Sequence, residues 1–204
     1  MSGYKLYYLN LRARAELTRL IFAASETPYE DIRMLNWAEE KTTFKPPFGQ
    51  LPVFEAEGVR LCQSLAIARF VARKTGLAGD NPREEARADM IVECSKDVID
   101  QVIKILFEGD AERKEEMTKM FNTEKLPRLM GYFEKFLKEN GGEWFVGNKL
   151  TWADLAVIDC LKFTENDKFQ IPWSSIPKVE AHRKRVEAIP AIAKYIASRP
   201  EVTR

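Results

Sequence analysis

Tyr4-Lys5-Leu6-Tyr7-Tyr8-Leu9, with Arg14-Ala15-Glu16-Leu17-Thr18-Arg19-Leu20 opening five residues beyond it, is the stretch whose reading decides the fold. The first run is short and rich in aromatics, which predicts a strand. The second opens a helix over Ala15 to Ser25, with Leu17, Leu20, Ile21 and Ala24 on one face. Outward from there, Tyr29 to Arg33 reads as a weak second strand, and Lys45-Pro46-Pro47-Phe48-Gly49 as a loop full of breakers. Leu51 to Glu55 and Val59 to Cys62 bracket Glu57-Gly58, a hairpin turn. Ser64 is expected to cap a helix that runs to about Lys74 and ends at Gly76. The order βαβ then ββα predicts a small sheet with helices on its faces.

Just past Gly76, the segment Leu77 to Arg83 carries Gly79, Asn81 and Pro82, which marks a domain boundary. Beyond it the chain reads as helix. Residues 1–78 and 79–204 are the expected domains, α/β then all-α. Ile91, Cys94, Val98, Val102 and Ile105 recur at helical spacing. Glu93, Asp97, Asp100 and Lys104 form a polar stripe on the same helix, either a solvated face or the wall of a cleft or subunit interface. Leu150-Thr151-Trp152-Ala153-Asp154-Leu155 is a helix start. Thr151 and Asp154 match a capping box with Asp in place of Glu, and Leu150 and Leu155 a hydrophobic staple. From Trp152 to Phe163 only Asp154, Asp159 and Lys162 are charged, so this helix belongs at the centre of its domain.

The bulk properties exclude several classes of function. Of 204 residues, 45% are hydrophobic and 31% charged, which suits a globular protein with a sizeable core. Thirty-two basic against 31 acidic residues leave a net charge of +1, no footprint for nucleic acid or a membrane surface. No apolar stretch nears the roughly 18 residues of a spanning helix, and no signal peptide is expected before Tyr4. Cys62, Cys94 and Cys160 are scattered and form neither a disulfide framework nor a metal cluster. A reducing, cytoplasmic setting is expected. His182 is the sole histidine, which argues against His-based metal sites and Ser-His-Asp triads.

The order and spacing of five segments identify the chain as resembling a family. They are Tyr4 to Tyr8, Arg14-Ala15-Glu16-Leu17, Phe48-Gly49-Gln50-Leu51-Pro52-Val53, Gln63-Ser64-Leu65-Ala66-Ile67-Ala68-Arg69, and Gly147-Asn148-Lys149-Leu150-Thr151-Trp152-Ala153-Asp154. Together they resemble the sigma class of cytosolic glutathione transferases, a group that includes invertebrate enzymes and vertebrate haematopoietic prostaglandin D synthase. The resemblance covers almost the whole chain. It implies a thioredoxin-like N-terminal domain that binds glutathione, an all-helical C-terminal domain, and a homodimer.

The resemblance also implies roles. Tyr8 matches the catalytic tyrosine, a phenol that donates a hydrogen bond to the glutathione thiolate; pattern alone favours a core aromatic on one face with Tyr4 and Leu6. Arg14 would add positive charge at the start of the first helix, or be merely exposed. Ala13 stands where relatives often have Gly. Leu51-Pro52 matches a cis-proline loop whose Leu51 backbone would bond the cysteinyl unit, though Pro52 could simply begin a strand. Gln63 and Ser64 would hold the γ-glutamyl carboxylate, Ser64 being also an ordinary helix cap. Trp37, Lys41 and Gln50 match positions at the glycyl end, with Gln50 replacing a frequent lysine. Asp97 matches an acid that reaches the γ-glutamyl amine in the other subunit.

Leu9, Leu11, Ala13, Lys104 and Cys160 match positions that line the pocket for a small hydrophobic electrophile. Lys104 replaces a tryptophan of the prostaglandin synthase, and Ala156 a tyrosine. The trio of acids associated with its metal becomes Glu93, Lys96 and Asp97. These departures argue against a dedicated, metal-tuned isomerase, and no metal is expected. Residues 1–61 contain no cysteine, which excludes disulfide-exchange and cysteine-based transferase chemistry. The readings left are conjugation of glutathione to apolar electrophiles, prostaglandin H2 isomerisation, peroxidase action on lipid hydroperoxides, and non-enzymatic carriage of a ligand.

Overall fold

The computed structural model describes residues 3–200, which divide into two compact units. The first contains a four-stranded sheet of order β2-β1-β3-β4. Its strands are β1 (Lys5–Leu9), β2 (Glu30–Met34), β3 (Val53–Ala56) and β4 (Val59–Cys62). Strand β1 runs parallel to β2, with Tyr8 opposite Arg33, and antiparallel to β3, with Leu6 opposite Phe54. Its burial alternates, so Leu6 and Tyr8 face inward while Tyr7 faces the other way. The β3–β4 hairpin closes on Glu57 and Gly58, both at positive φ (52° and 78°), the geometry of a two-residue type I′ turn.

Three helices accompany this sheet: α1 (Glu16–Ala24), α2 (Trp37–Phe44) and α3 (Ser64–Lys74). Helix α1 is led in by a single tight turn, Ala13–Ala15. Helix α2 has no counterpart in the sequence reading, and the reason is visible. It buries no residue, so it carries no apolar stripe to detect. Ser64 is the first residue of α3 and not its cap. Gln63 takes the cap position with φ of 72° and makes no side-chain capping bond. At the other end Leu77 N–H reaches Ala72 C=O at 2.8 Å and Gly76 N–H reaches Arg73 C=O at 3.4 Å, a Schellman ending with Gly76 at φ of 73°.

The second unit spans Ala78–Ala188. It holds α4 (Pro82–Leu106), α5 (Ala111–Met120), α6 (Leu126–Glu139), α7 (Trp152–Thr164) and α8 (Pro177–Glu187). Asn81 caps α4 by accepting the N–H groups of Arg83 and Glu84, both at 3.1 Å. A π-helical turn, Phe121–Lys125, joins α5 to α6. There Leu126 N–H reaches back to Phe121 C=O, and Pro127, which has no N–H to offer, accommodates the widened turn. Helix α7 is buried from Trp152 through Leu161, as its nearly uniform apolarity requires, and packs along α4.

Asp154 organises the start of α7. One carboxylate oxygen accepts the backbone N–H of Thr151 at 2.7 Å and its hydroxyl at 3.0 Å. The other accepts Phe145 N–H at 3.0 Å and pairs with His182 Nε2 of α8 at 2.8 Å. Asp154 and His182 are both fully buried. The capping box expected from Thr151 and Asp154 is present. The same acid also ties α7 to α8 and to the preceding loop, which no local spacing reveals.

The last helix, α9 (Pro190–Ser198), belongs with the first unit. An unbroken second domain over 79–204 therefore differs from the compact units at its C-terminal end. Helix α9 packs on α1, Tyr195 donates its hydroxyl to both oxygens of the buried Glu16 at 3.1 Å, and Arg199 Nε lies 2.9 Å from Glu16 Oε1. Pairings that span 179 residues leave no periodic trace in a sequence.

Removing the Asp154 carboxylate leaves His182 and two backbone N–H groups buried without their acceptor. Asp154→Ala is expected to cost about 3–5 kcal/mol, and Thr151→Ala about 1 kcal/mol. Chemical denaturation followed by circular dichroism measures both; equal losses would show that the acid acts only as a cap.

Candidate functional site

A cavity of about 450 Å³ opens on the first unit. Its walls come from strand ends, a turn, helix starts and a loop of that unit. Tyr8 and Leu9 arrive from the end of β1, and Arg14 from the turn leading into α1. Trp37 is the first residue of α2. Phe48, Gly49, Gln50, Leu51 and Pro52 come from the loop before β3, where the Leu51–Pro52 bond is cis. Cys62, Gln63 and Ser64 complete it at the junction of β4 and α3.

The alternation of β1 decides which tyrosine reaches this space. Tyr8 is directed into it, only 6% exposed. Tyr7 points to the opposite face, where its ring meets Phe44 and its hydroxyl donates to Glu55 at 2.9 Å. Burial and the Glu55 carboxylate push the Tyr7 phenol up to about 12. The Tyr8 oxygen accepts the backbone N–H of Arg14 at 3.4 Å. Having accepted there, the phenol keeps its own proton for a partner in the cavity. Burial raises the Tyr8 phenol above its ordinary value, while the Arg14 N–H and the Arg14 and Arg19 charges oppose the rise. The balance keeps it protonated, hence a donor.

Among the described residues that line the cavity, Arg14 alone carries a charged side chain. The α3 N-terminus adds to the positive character, because its first N–H groups lack intrahelical partners, and Ser64, its first residue, lines the cavity. The lining thus combines a phenol donor, a guanidinium and a helix start, groups whose chemistry suits an anion.

Tyr8, Leu9, Arg14, Trp37, Gln50, Leu51, Pro52, Gln63 and Ser64 are therefore brought together. Lys41 lies one turn beyond Trp37 on α2, exposed and off the cavity wall. Leu11 and Ala13 share the loop that carries Arg14; Ala13 has φ of 32°, a backbone conformation unusual for a residue with a Cβ. In the second unit, Asp97 and Lys104 are exposed on α4, and Lys96 pairs with Asp100. Cys160 is fully buried inside α7, with burial holding its thiol well above the usual range, so it presents no surface of its own. Sequence reasoning missed Phe48, Gly49 and Cys62 as lining groups. The breaker-rich loop before Gln50 was a usable signal for the first two.

It also missed the support beneath Tyr8. Arg19 of α1 is fully buried, with its guanidinium carbon 5.8 Å from the Tyr8 ring centre. It donates to Leu11 C=O at 2.7 Å and to Asp31 at 3.2 Å. A single arginine on the buried side of a helix carries no motif, so the sequence did not expose it.

A family model described as the glutathione S-transferase N-terminal domain matches residues 4–73, and one described as the C-terminal domain matches residues 96–199. Among curated relatives, haematopoietic prostaglandin D synthase of Gallus gallus is 42% identical over 98% of each chain. A probable glutathione S-transferase 6 of Caenorhabditis elegans is 38% identical, again over 98% of each. Among solved structures, a monomeric glutathione S-transferase of the hookworm Necator americanus superposes with a TM-score of 0.85 at 38% identity, covering 99% of this chain and 100% of that one.

Because burial raises the Tyr8 phenol, its phenolate is expected only at a pH higher than an ordinary tyrosine requires. Ultraviolet difference titration of the wild type against Tyr8→Phe measures this; a Tyr8 phenolate signal at neutral pH would contradict the donor role.

Proposed function

Since the chain belongs to the glutathione S-transferase family, we propose that it holds glutathione in the cavity beside Tyr8 and delivers it, as thiolate, to a small apolar electrophile. The observation that carries this reading is the Tyr8 phenol: buried, protonated, its oxygen already engaged by Arg14 N–H, and its proton free for an anion in the cavity.

A free thiol has a pKa of about 8.5, so little is ionised at neutral pH. Lowering that value by ~2 units takes ~2.7 kcal/mol of selective anion stabilisation. A hydrogen bond to a charged group contributes roughly 1.5–3 kcal/mol, so the Tyr8 hydroxyl supplies most of the effect. The Arg14 charge and N–H support the remainder. The thiol proton leaves to solvent; Tyr8 keeps its own and never acts as base. Glutathione, the co-substrate, is held along its length: its γ-glutamyl carboxylate by Ser64, Gln63 and the α3 N-terminus, and its cysteinyl unit by the Leu51 backbone beside Pro52. Its glycyl end is held by Trp37, Gln50 and, from one turn further, Lys41. Fixing the peptide in this way brings the sulfur to its target with little entropy left to lose.

The same reading makes the protein a sigma-class, cytoplasmic, homodimeric detoxification enzyme. Asp97 of one subunit reaches the γ-glutamyl amine bound in the other. The family resemblance assigns Leu9, Leu11, Ala13, Lys104 and Cys160 to the electrophile pocket; of these, Cys160 is fully enclosed within α7. Prostaglandin H2 isomerisation is a second reading, favoured by the 42% identity to the Gallus gallus synthase. The Lys104, Ala156 and Lys96 departures make conjugation the first.

Tyr8→Phe is expected to leave glutathione affinity nearly intact and to cut turnover at least about tenfold, the loss of one transition-state donor. Full activity in that variant would sink the assignment. A thiol-consumption assay over aryl halides, unsaturated aldehydes, lipid hydroperoxides and prostaglandin H2 ranks the reactions. Asp97→Ala is expected to weaken glutathione binding in the dimer, as measured by calorimetry beside sedimentation; unchanged affinity would show that no cross-subunit contact exists.

A further inference from the structure

Arg19 occupies an expensive position. It is fully buried and permanently charged, and its Nη2 has no hydrogen-bond partner. A buried ion pair can commonly be replaced by apolar side chains without loss of stability. Packing alone is therefore a weak reason for an arginine here, and its contacts suggest a better one.

The Nη1 contacts of Arg19 to backbone carbonyls fall on the turn that carries Arg14. Its Nη1 donates to Leu11 C=O at 2.7 Å and approaches Arg12 C=O at 3.5 Å, which pins the chain two and three residues before Arg14. Its Nε donates to Asp31 on β2, which is also held by Arg33, and Arg33 in turn donates to Asn10 Oδ1 at 3.3 Å. On the helix side, Glu16 lies 3.5 Å from Arg19 Nη1 and is itself gripped by Tyr195 and Arg199. Asn10, Leu11 and Arg12 are thus tethered from β2 and α1 together. The next residue, Ala13, is driven to φ of 32°, and the N–H that follows it is the one given to Tyr8. The guanidinium also sits 5.8 Å from the Tyr8 ring centre.

We propose that Arg19 is a positioning residue for the thiolate site: it sets the turn at residues 10–13 so that Arg14 N–H meets the Tyr8 oxygen, and its charge adds to the field at the anion. This rests on the reading of the cavity as a glutathione site. Among the described residues, the charged and titratable groups around the pair are Arg14 beside Tyr8, and Glu16, Asp31, Tyr29, Tyr195, Arg33 and Arg199 around Arg19. Tyr29 and Tyr195 are pushed far up by burial and stay neutral. Glu16 and Asp31 lie against the Arg19 guanidinium at 3.5 and 3.2 Å.

The test compares wild type, Tyr8→Phe, Arg19→Met and Arg19→Lys by the ultraviolet thiolate absorbance of bound glutathione against pH, and by kcat and KM with an aryl halide. Wild type should show thiolate well below the free-thiol range, and Tyr8→Phe should lose it. Arg19→Met should move the titration up by about one pH unit, tenfold less thiolate at a given acidic pH. Its kcat should fall about tenfold at neutral pH and recover at high pH, with KM for glutathione within about twofold. Arg19→Lys keeps the charge but cannot span Asp31 and the Leu11 carbonyl together, so its shift should be smaller, about threefold. If Arg19→Met does not fold, Arg19→Lys decides alone. Thiolate titrations of the folded variants that superimpose on wild type overturn the inference, however much stability is lost. Absence of thiolate in wild type would instead overturn the glutathione reading itself.

Discussion

Everything in the first unit hangs from the pleat of β1. That strand lies inside the sheet, paired on both edges, so its register is set by β2 and β3 together. A slip of one residue would exchange the faces of every side chain. Tyr7 would then enter the cavity and Tyr8 would meet Glu55. The two adjacent tyrosines have opposite fates because Leu6 must be buried, and the burial of Leu6 carries Tyr8 to the same side. An anion site is thereby placed by a hydrophobic constraint two residues away.

The site uses neutral donors and oriented dipoles more than charge. A single guanidinium, one phenol and a helix start face the cavity, while the acids of this region, Glu16, Asp31 and Glu55, are engaged elsewhere by Tyr195, Arg19, Arg33 and Tyr7. Keeping those carboxylates occupied matters, because an unengaged acid beside Tyr8 would oppose ionisation of a thiol. The second unit applies the same economy to folding. Asp154 satisfies a helix start, a loop N–H and a buried histidine with one carboxylate.

Much of this was legible beforehand. The strands, the hairpin at Glu57-Gly58, helices α1 and α3 and the Thr151–Asp154 box follow from alternation, turn chemistry and capping, all of which act within a few residues. Helix α2 was not legible, because it buries nothing and so has no pattern. The cap of α3 was misassigned to Ser64, since a positive φ at Gln63 is not a preference that glutamine advertises. Among the expected site residues, those on the cavity wall share short loops beside β1, β3 and β4. Lys41 lies a helical turn from the wall and Cys160 is sealed inside α7, placements that motif spacing does not specify.

By itself the sequence determined the family, the order of elements, the two-part organisation and Tyr8 as the residue to suspect, since these reside in local spacing and in segments that stand in a characteristic order. The tertiary structure alone decided which tyrosine faces the cavity, that Arg14 N–H meets the Tyr8 oxygen, that Arg19 lies beneath them, and that the chain from Ile189 returns to the first unit to engage Glu16. The reason is distance along the chain. Periodicity reports what a residue does with neighbours three or four positions away. A buried guanidinium between two acids, or a phenol from α9 on a carboxylate of α1, exists only once distant segments have packed.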